Sequence, residues 1–263
     1  MLFPESERVL YKNNPLVEVI CQFRYPTILR IRERQLSDFQ ERVRKDYPVY
    51  SEQEPSFGLP PQLPKEFTAI FEQMKIPPEL ISHRFSTKDL QRFISLRDEF
   101  MALAETKYER WESFIEEVVK AESALKEVYD PAFYSRIGLR YRDIISRRDI
   151  KLTDVGWQDL LEPHIIAELG DKEVSGAISR IQTQAIIKIP EIPDGQIVLT
   201  HGLITKNGSD EECYLIDADF SVERKEGVNE PFEILDKFHW LAGRLFRWAI
   251  TKKLHNTMGP RAI

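Results

Sequence analysis

The stretch QIVLTHGLITKNGSDEECYLIDADFSVE, residues 196–223, carries the reading of the fold. It contains two long runs rich in β-branched and aromatic residues, separated by Asn207-Gly208, a dipeptide suited to the tight turn of a hairpin. In the second run Tyr214, Ile216, Ala218 and Phe220 alternate with Asp217 and Asp219, so one face is apolar and the other acidic. Pro193-Asp194-Gly195 is a second turn signal, and it joins the first run to an earlier strand-like segment at about Glu173 to Ile189. Long strands linked by tight turns must pair antiparallel, because a parallel pair needs a crossover of a dozen residues or more. A doubly wound dinucleotide-binding sheet is therefore disfavoured.

Further alternating strands lie upstream. Ser135 to Ile145 places Ile137, Leu139 and Tyr141 inward and Arg136, Arg140 and Arg142 on the opposite face. Leu16 to Tyr25 sets Val17, Val19, Cys21, Phe23 and Tyr25 against Glu18, Gln22 and Arg24, with Ile20 breaking the pattern. Two more strands are expected at about Leu80 to Ser86 and Arg92 to Ala104. Helical spacing is clearest from about Arg110 to Tyr129, where Trp111, Phe114, Val118, Ala121, Leu125 and Val128 form one stripe. Thr106 and Glu109 have capping-box spacing, and Asp130-Pro131 ends the segment. Helices are also expected from Arg32 to Tyr47, in broken form around Trp157 to Leu169, and from Pro231 to about His255, the last capped by Asn229. Seven of the sixteen prolines fall between Pro48 and Pro78, which predicts an ordered surface excursion over that stretch.

The expected fold class is α+β: one domain spanning 1–263, with a long antiparallel sheet packed on amphipathic helices. The order of elements suggests one unit used twice, at 14–131 and 132–263, each half helix-grip-like with a sheet wrapped on a long helix.

At 263 residues, 42% hydrophobic and 30% charged, the chain has the composition of a folded protein. Its net charge of −6 disfavours nucleic-acid binding by the domain as a whole. The first residues lack the basic and apolar regions of a secretory signal, and no apolar run approaches the ~20 residues needed to span a bilayer. A cytoplasmic location is expected, without membrane association. Cys21 and Cys213 then read as two buried thiols in a reducing compartment rather than a disulfide.

The loud chemical motifs are missing. Neither glycine-rich phosphate loop occurs, nor do H-E-x-x-H, C-x-x-C or G-x-S-x-G, which favours a non-enzymatic role. No catalytic residue and no cofactor is assigned. Asp217 and Asp219 project from one face about 7 Å apart by strand geometry, and with His201 on the neighbouring strand they form a weak candidate for Mg²⁺ or Mn²⁺. A polar outer face would look the same. Arg136, Arg140 and Arg142 make a row able to grip phosphates or carboxylates bidentately. The competing reading is a ladder in which they pair with Glu18, Asp217 or Asp219 across strands. Trp240 and Trp248 lie off the core stripe of the last helix, either packed beneath the proline-rich segment or exposed for a partner.

The segments NPLVEV at 14–19 with FRYP at 23–26, RIGLRY at 136–141, and the tail from Leu245-Phe246 through Ile250-Thr251 to Gly259-Pro260 resemble a sporadically distributed bacterial family of uncharacterised proteins of similar length. By analogy, that scattered occurrence implies an accessory or regulatory subunit of a defence or toxin-antitoxin system. The leading expectation is thus an interaction protein with a protein partner, using Arg136, Arg140, Arg142, Trp240 and Trp248, and open strand edges make a homo-oligomer a further expectation. The alternatives are a small-molecule binder with a cavity beside the long helix lined by Phe220, Phe238 and Leu245, and a local nucleic-acid site on the arginine row.

Overall fold

The computed structural model describes residues 2–53, 82–171, 173–205 and 210–262. The strands are β1 (Val9–Tyr11), β2 (Leu16–Arg24), β3 (Val49–Gln53), β4 (Ser82–Ser86), β5 (Arg92–Leu96), β6 (Phe100–Glu105), β7 (Arg136–Ser146), β8 (Gln182–Lys188), β9 (Gly195–Thr205), β10 (Glu212–Glu223) and β11 (Pro260–Ala262). The helices are α1 (Leu29–Arg32), α2 (Ser37–Val43), α3 (Trp111–Tyr129), α4 (Pro163–Ile166), α5 (Pro231–Ala249) and α6 (Lys252–Thr257).

Nine strands form one antiparallel sheet in the order β3-β4-β5-β6-β2-β7-β10-β9-β8, and β1 pairs with β11 in a separate ribbon. The fold is α+β, as the alternating runs imply. The order reads outward in the same way from both sides of the β2–β7 seam. The first strand of each half pairs with that half's last strand, and the rest follow in reverse chain order.

Both long helices cover one face of the sheet. Val19, Cys21 and Phe23 of β2, Ile137 and Leu139 of β7, and Phe220 and Val222 of β10 are fully buried beneath Phe114 and Val118 of α3 and Leu235 and Phe238 of α5. Burial of each large apolar side chain contributes about 1.5–3 kcal/mol. The two cysteines are buried inside the sheet and are not joined in a disulfide.

Several boundaries differ from the sequence reading. The strand expected over Arg92 to Ala104 is the hairpin β5–β6, because the Arg97 amide bonds back to the Phe100 carbonyl and folds Asp98 and Glu99 into a turn. Of the helix expected from Arg32 to Tyr47 only Ser37–Val43 forms α2; α1 ends at Arg32, and Arg34, whose φ of 60° lies in the left-handed region, separates the two. The last helix stops at Ala249, where extended Ile250 bridges to Leu161, and α6 restarts with Thr251 accepting a hydrogen bond from the Leu254 amide. The segment Glu173 to Gln182 is 3₁₀ and irregular, so β8 begins only at Gln182. The expected caps do not form: Arg110 and Glu230 stand at the N-caps of α3 and α5, without side-chain capping bonds. Residues 49–53 of the proline-rich segment form edge strand β3. The remainder to Pro78, like the Asn207-Gly208 turn, lies outside the described residues. None of the described helices is long and apolar enough to cross a membrane.

Candidate functional site: a polar cavity beneath the C-terminal helix

The arginine row lies on the open face of the sheet, opposite the helices, and its cations are matched by carboxylates. Cross-strand register sets Arg142 beside Asp217 and Glu18, and Arg140 beside Asp219. Arg140 forks onto Asp217, with Nε to Oδ1 at 2.7 Å and Nη2 to Oδ2 at 2.6 Å. Arg142 donates to Glu18 at 2.9 Å and approaches Asp217 at 3.5 Å. Arg136 lies across Gly138, where a side chain would collide with its guanidinium, and reaches Asp219 at 3.0 Å and Gln22 at 2.8 Å. The bond to Asp217 is the main reason the Arg140 guanidinium holds its proton more tightly than usual. Both oxygens of Asp217 are occupied by arginine, so they are not presented to a cation.

His201 does not face those carboxylates. It pairs with Ile216 across β9 and β10, which puts it on the helix-covered face. Its Nδ1 lies 2.9 Å from the Tyr214 hydroxyl, which donates to the Ile165 carbonyl at 3.0 Å. Burial, followed by the charge of His164, lowers its pKa. Among the described residues no group of three or more His, Cys, Asp and Glu side chains is placed to hold a metal ion. Of the two tryptophans, Trp248 packs against Phe3 and His164, with ring centroids 5.1 Å and 4.0 Å away. Trp240 is 46% exposed, with the Arg244 guanidinium stacked 3.8 Å from its ring.

The helix-covered face holds a different constellation. A β-bulge at Val17 sets Leu16 opposite Asp143 and Glu18 opposite Arg142, so the chain on one side of the bulge points to the opposite face from that expected by simple alternation. Leu16 and Asp143 therefore share the core face. There, β7, the residues ahead of α3, one side of α5 and the ribbon strand β1 border a half-open cavity of about 320 Å³. Trp111, Tyr108, Tyr141, Tyr11 and Phe246 supply its aromatic walls. The Tyr141 hydroxyl and His239 Nδ1 share a 2.8 Å hydrogen bond, and the His239 ring lies flat on Trp111 at 4.5 Å. Burial, followed by the charge of Arg8, lowers the His239 pKa to about 4, so this histidine is neutral at physiological pH. Trp111 is fixed in turn by donating its indole N–H to Asp236 at 2.8 Å.

Asp143 is the anomaly. It occupies an inward position between Tyr141 and Ile145, is only 8% exposed, and accepts no hydrogen bond from any described residue. Burial, reinforced by Asp217 on the neighbouring strand, pushes its carboxyl pKa from 3.8 up to about 8. Across the cavity, Arg247 forms no ion pair with a described carboxylate and leaves Nη1 buried without a hydrogen-bond partner. Tyr11 senses both groups: burial dominates to raise its pKa to about 12, Arg247 pulls it down by its charge and a hydrogen bond to the hydroxyl, and Asp143 pushes it up. Its hydroxyl is 2.8 Å from His255 Nδ1.

The sequence reading placed a cavity beside the C-terminal helix but lined it with Phe220, Phe238 and Leu245. These three are core residues, with Phe220 and Phe238 packed ring to ring at 5.9 Å, while the cavity opens on the side of α5 that carries His239, Trp240 and Arg247. The available signal was Asp143 itself, a charge at an apolar phase of an alternating strand. No protein-family model matches the chain, and no curated protein matches it.

Proposed function

We propose that the protein binds a small organic molecule in the cavity between β7, α5 and β1. The observation that carries the reading is Asp143, a buried carboxyl with no donor from the described chain, facing an aromatic-walled space. A buried polar group left without a partner costs on the order of 1–3 kcal/mol, and more when charged. A bound molecule that donates to it removes that cost. The cavity volume falls at the lower end of the usual range for small-ligand sites, and few convergent polar groups in an apolar wall are what such sites present. The test is native mass spectrometry of tagged protein gently purified from its own host, together with thermal-shift screening of metabolite-like compounds. A retained small mass, or a compound that raises the melting temperature of the native protein but not of Asp143→Ala, is expected. A bare protein with no stabilising compound overturns the reading.

A second reading, an interaction protein of the accessory or regulatory kind, is supported by Trp240, an exposed indole stacked on Arg244 at the cavity mouth. Aromatic and arginine side chains are enriched in protein interfaces. Affinity purification from the host, comparing Trp240→Ala with the native chain, tests it. A partner recovered equally by both removes this surface from consideration.

A further inference from the structure

We propose that the ligand of this cavity is a zwitterion, with an amine seated against Asp143, an anionic group against Arg247, and a flat apolar body between the aromatic walls. This rests on the small-molecule reading above and adds the chemical class.

The argument begins with the charges around the space. Arg8 is paired with Glu112 at 2.7 Å, Asp236 accepts from Trp111, and Arg244 pairs with Glu5 at 3.4 Å at the mouth. Glu7 and Asp236 carry charges but are exposed to solvent. Asp143 and Arg247 remain, an acid and a cation that both line the cavity, neither in an ion pair; burial keeps the acid protonated below about pH 8, and an ammonium seated beside it would favour its carboxylate. Because ion-paired nitrogen and oxygen atoms would lie within about 4 Å, the two are too far apart to satisfy each other directly. A purely anionic ligand at Arg247 leaves Asp143 without a donor and holds it in its neutral form. A purely cationic one gives the Arg247 guanidinium no acceptor and sets a like charge beside it. One molecule carrying both groups satisfies both.

The walls agree with this assignment. Tyr108, Tyr141 and Tyr11 line the same space as Asp143, and aromatic faces attract an ammonium by their quadrupole while also covering an apolar body. Arg247 offers the planar donor fork that matches a carboxylate. The class is therefore an amino-acid-like molecule with a sizeable apolar or aromatic side group.

The experiment has two arms. Native mass spectrometry and fragmentation of the host-purified protein identify any retained molecule. Calorimetry then compares L-tryptophan and L-phenylalanine with tryptamine, which lacks the carboxylate, and 3-indolepropionate, which lacks the amine. The expected result is a retained molecule bearing both amine and acid, or binding of an amino acid at least about tenfold tighter than of either single-charge analogue. Asp143→Asn should erase the preference over the propionate, and Arg247→Gln the preference over tryptamine, in variants whose circular dichroism matches the native chain. A retained molecule lacking either charge, or equal binding of all four probes, overturns the zwitterion while leaving the binding reading standing. No retained mass together with no binding of any probe overturns both.

Discussion

Replacing Asp143 with asparagine should stabilise the protein, by an amount that grows with pH. In the folded chain burial holds the carboxyl pKa at about 8, against 3.8 when solvated. The raised value means that folding favours the protonated acid, so the contribution of Asp143 to stability is fully present below about pH 4. It is lost progressively as the pH rises through 8, because the unfolded chain gives up its proton earlier. The interval is about four pH units, each worth about 1.4 kcal/mol, so the ionised side chain costs the fold on the order of 5 kcal/mol by pH 9. Asparagine has nearly the same shape and cannot ionise. Any unmet hydrogen bond of its amide adds a constant of about 1–3 kcal/mol that does not vary with pH. The groups lining the same space are Glu7 and Arg8 ahead of β1, Tyr11 from β1, Tyr108 ahead of α3, Tyr141 from β7, and Asp236, His239, Arg244 and Arg247 from α5, with Asp217 on the far side of the sheet. They remain in both proteins, so their own titrations largely cancel in the difference. Urea unfolding of both proteins at pH 5, 7 and 9 reads that difference from midpoints and slopes. A difference that does not change with pH would refute the argument, since it would mean that Asp143 ionises as readily in the fold as in solution.

Other expectations follow from the same contacts. Arg140→Ala leaves the buried Asp217 with only the longer contact to Arg142, and should destabilise by on the order of 2–3 kcal/mol. Adding Asp217→Asn should recover part of that loss, and strict additivity in denaturant melts would show that the pair does not interact. Tyr214→Phe removes the hydroxyl joining His201 to the Ile165 carbonyl, and should cost about 1–2 kcal/mol, read as a lower melting temperature. Because Arg140 occupies both oxygens of Asp217, Mg²⁺ or EDTA should leave the melting temperature of the native chain unchanged, and a metal-dependent rise would show that the arginine yields to a cation.

The sheet was legible because its period is written into the chain. Hydrophobic alternation in Ser135 to Ile145 and in the 196–223 stretch, with turn residues between the runs, leaves an antiparallel arrangement as the simple solution. The apolar stripe of α3 was equally clear, since one helix face must be buried. Boundaries were less clear because tertiary contacts set them: Ile250 leaves the helix to bridge Leu161, and a left-handed Arg34 separates α2 from the start of the expected helix.

The sequence also supplied both readings of the arginine row, and the register of β2, β7 and β10 set a carboxylate against each guanidinium. It offered His201 as a partner for Asp217, but their positions on paired strands differ by one residue, and a one-residue difference places side chains on opposite faces. The lining of the cavity beside the last helix was beyond reach from sequence. It depends on a bulge at Val17 that turns Leu16 inward, on β1 being carried over α5 by its pairing with the distant β11, and on Arg247 meeting the space that Asp143 enters from another element. Local patterning fixes which side chains face inward along one strand or helix. Which of them stand without a partner is settled only when segments far apart in the chain are brought together, because hydrogen-bond satisfaction depends on every group that surrounds an atom.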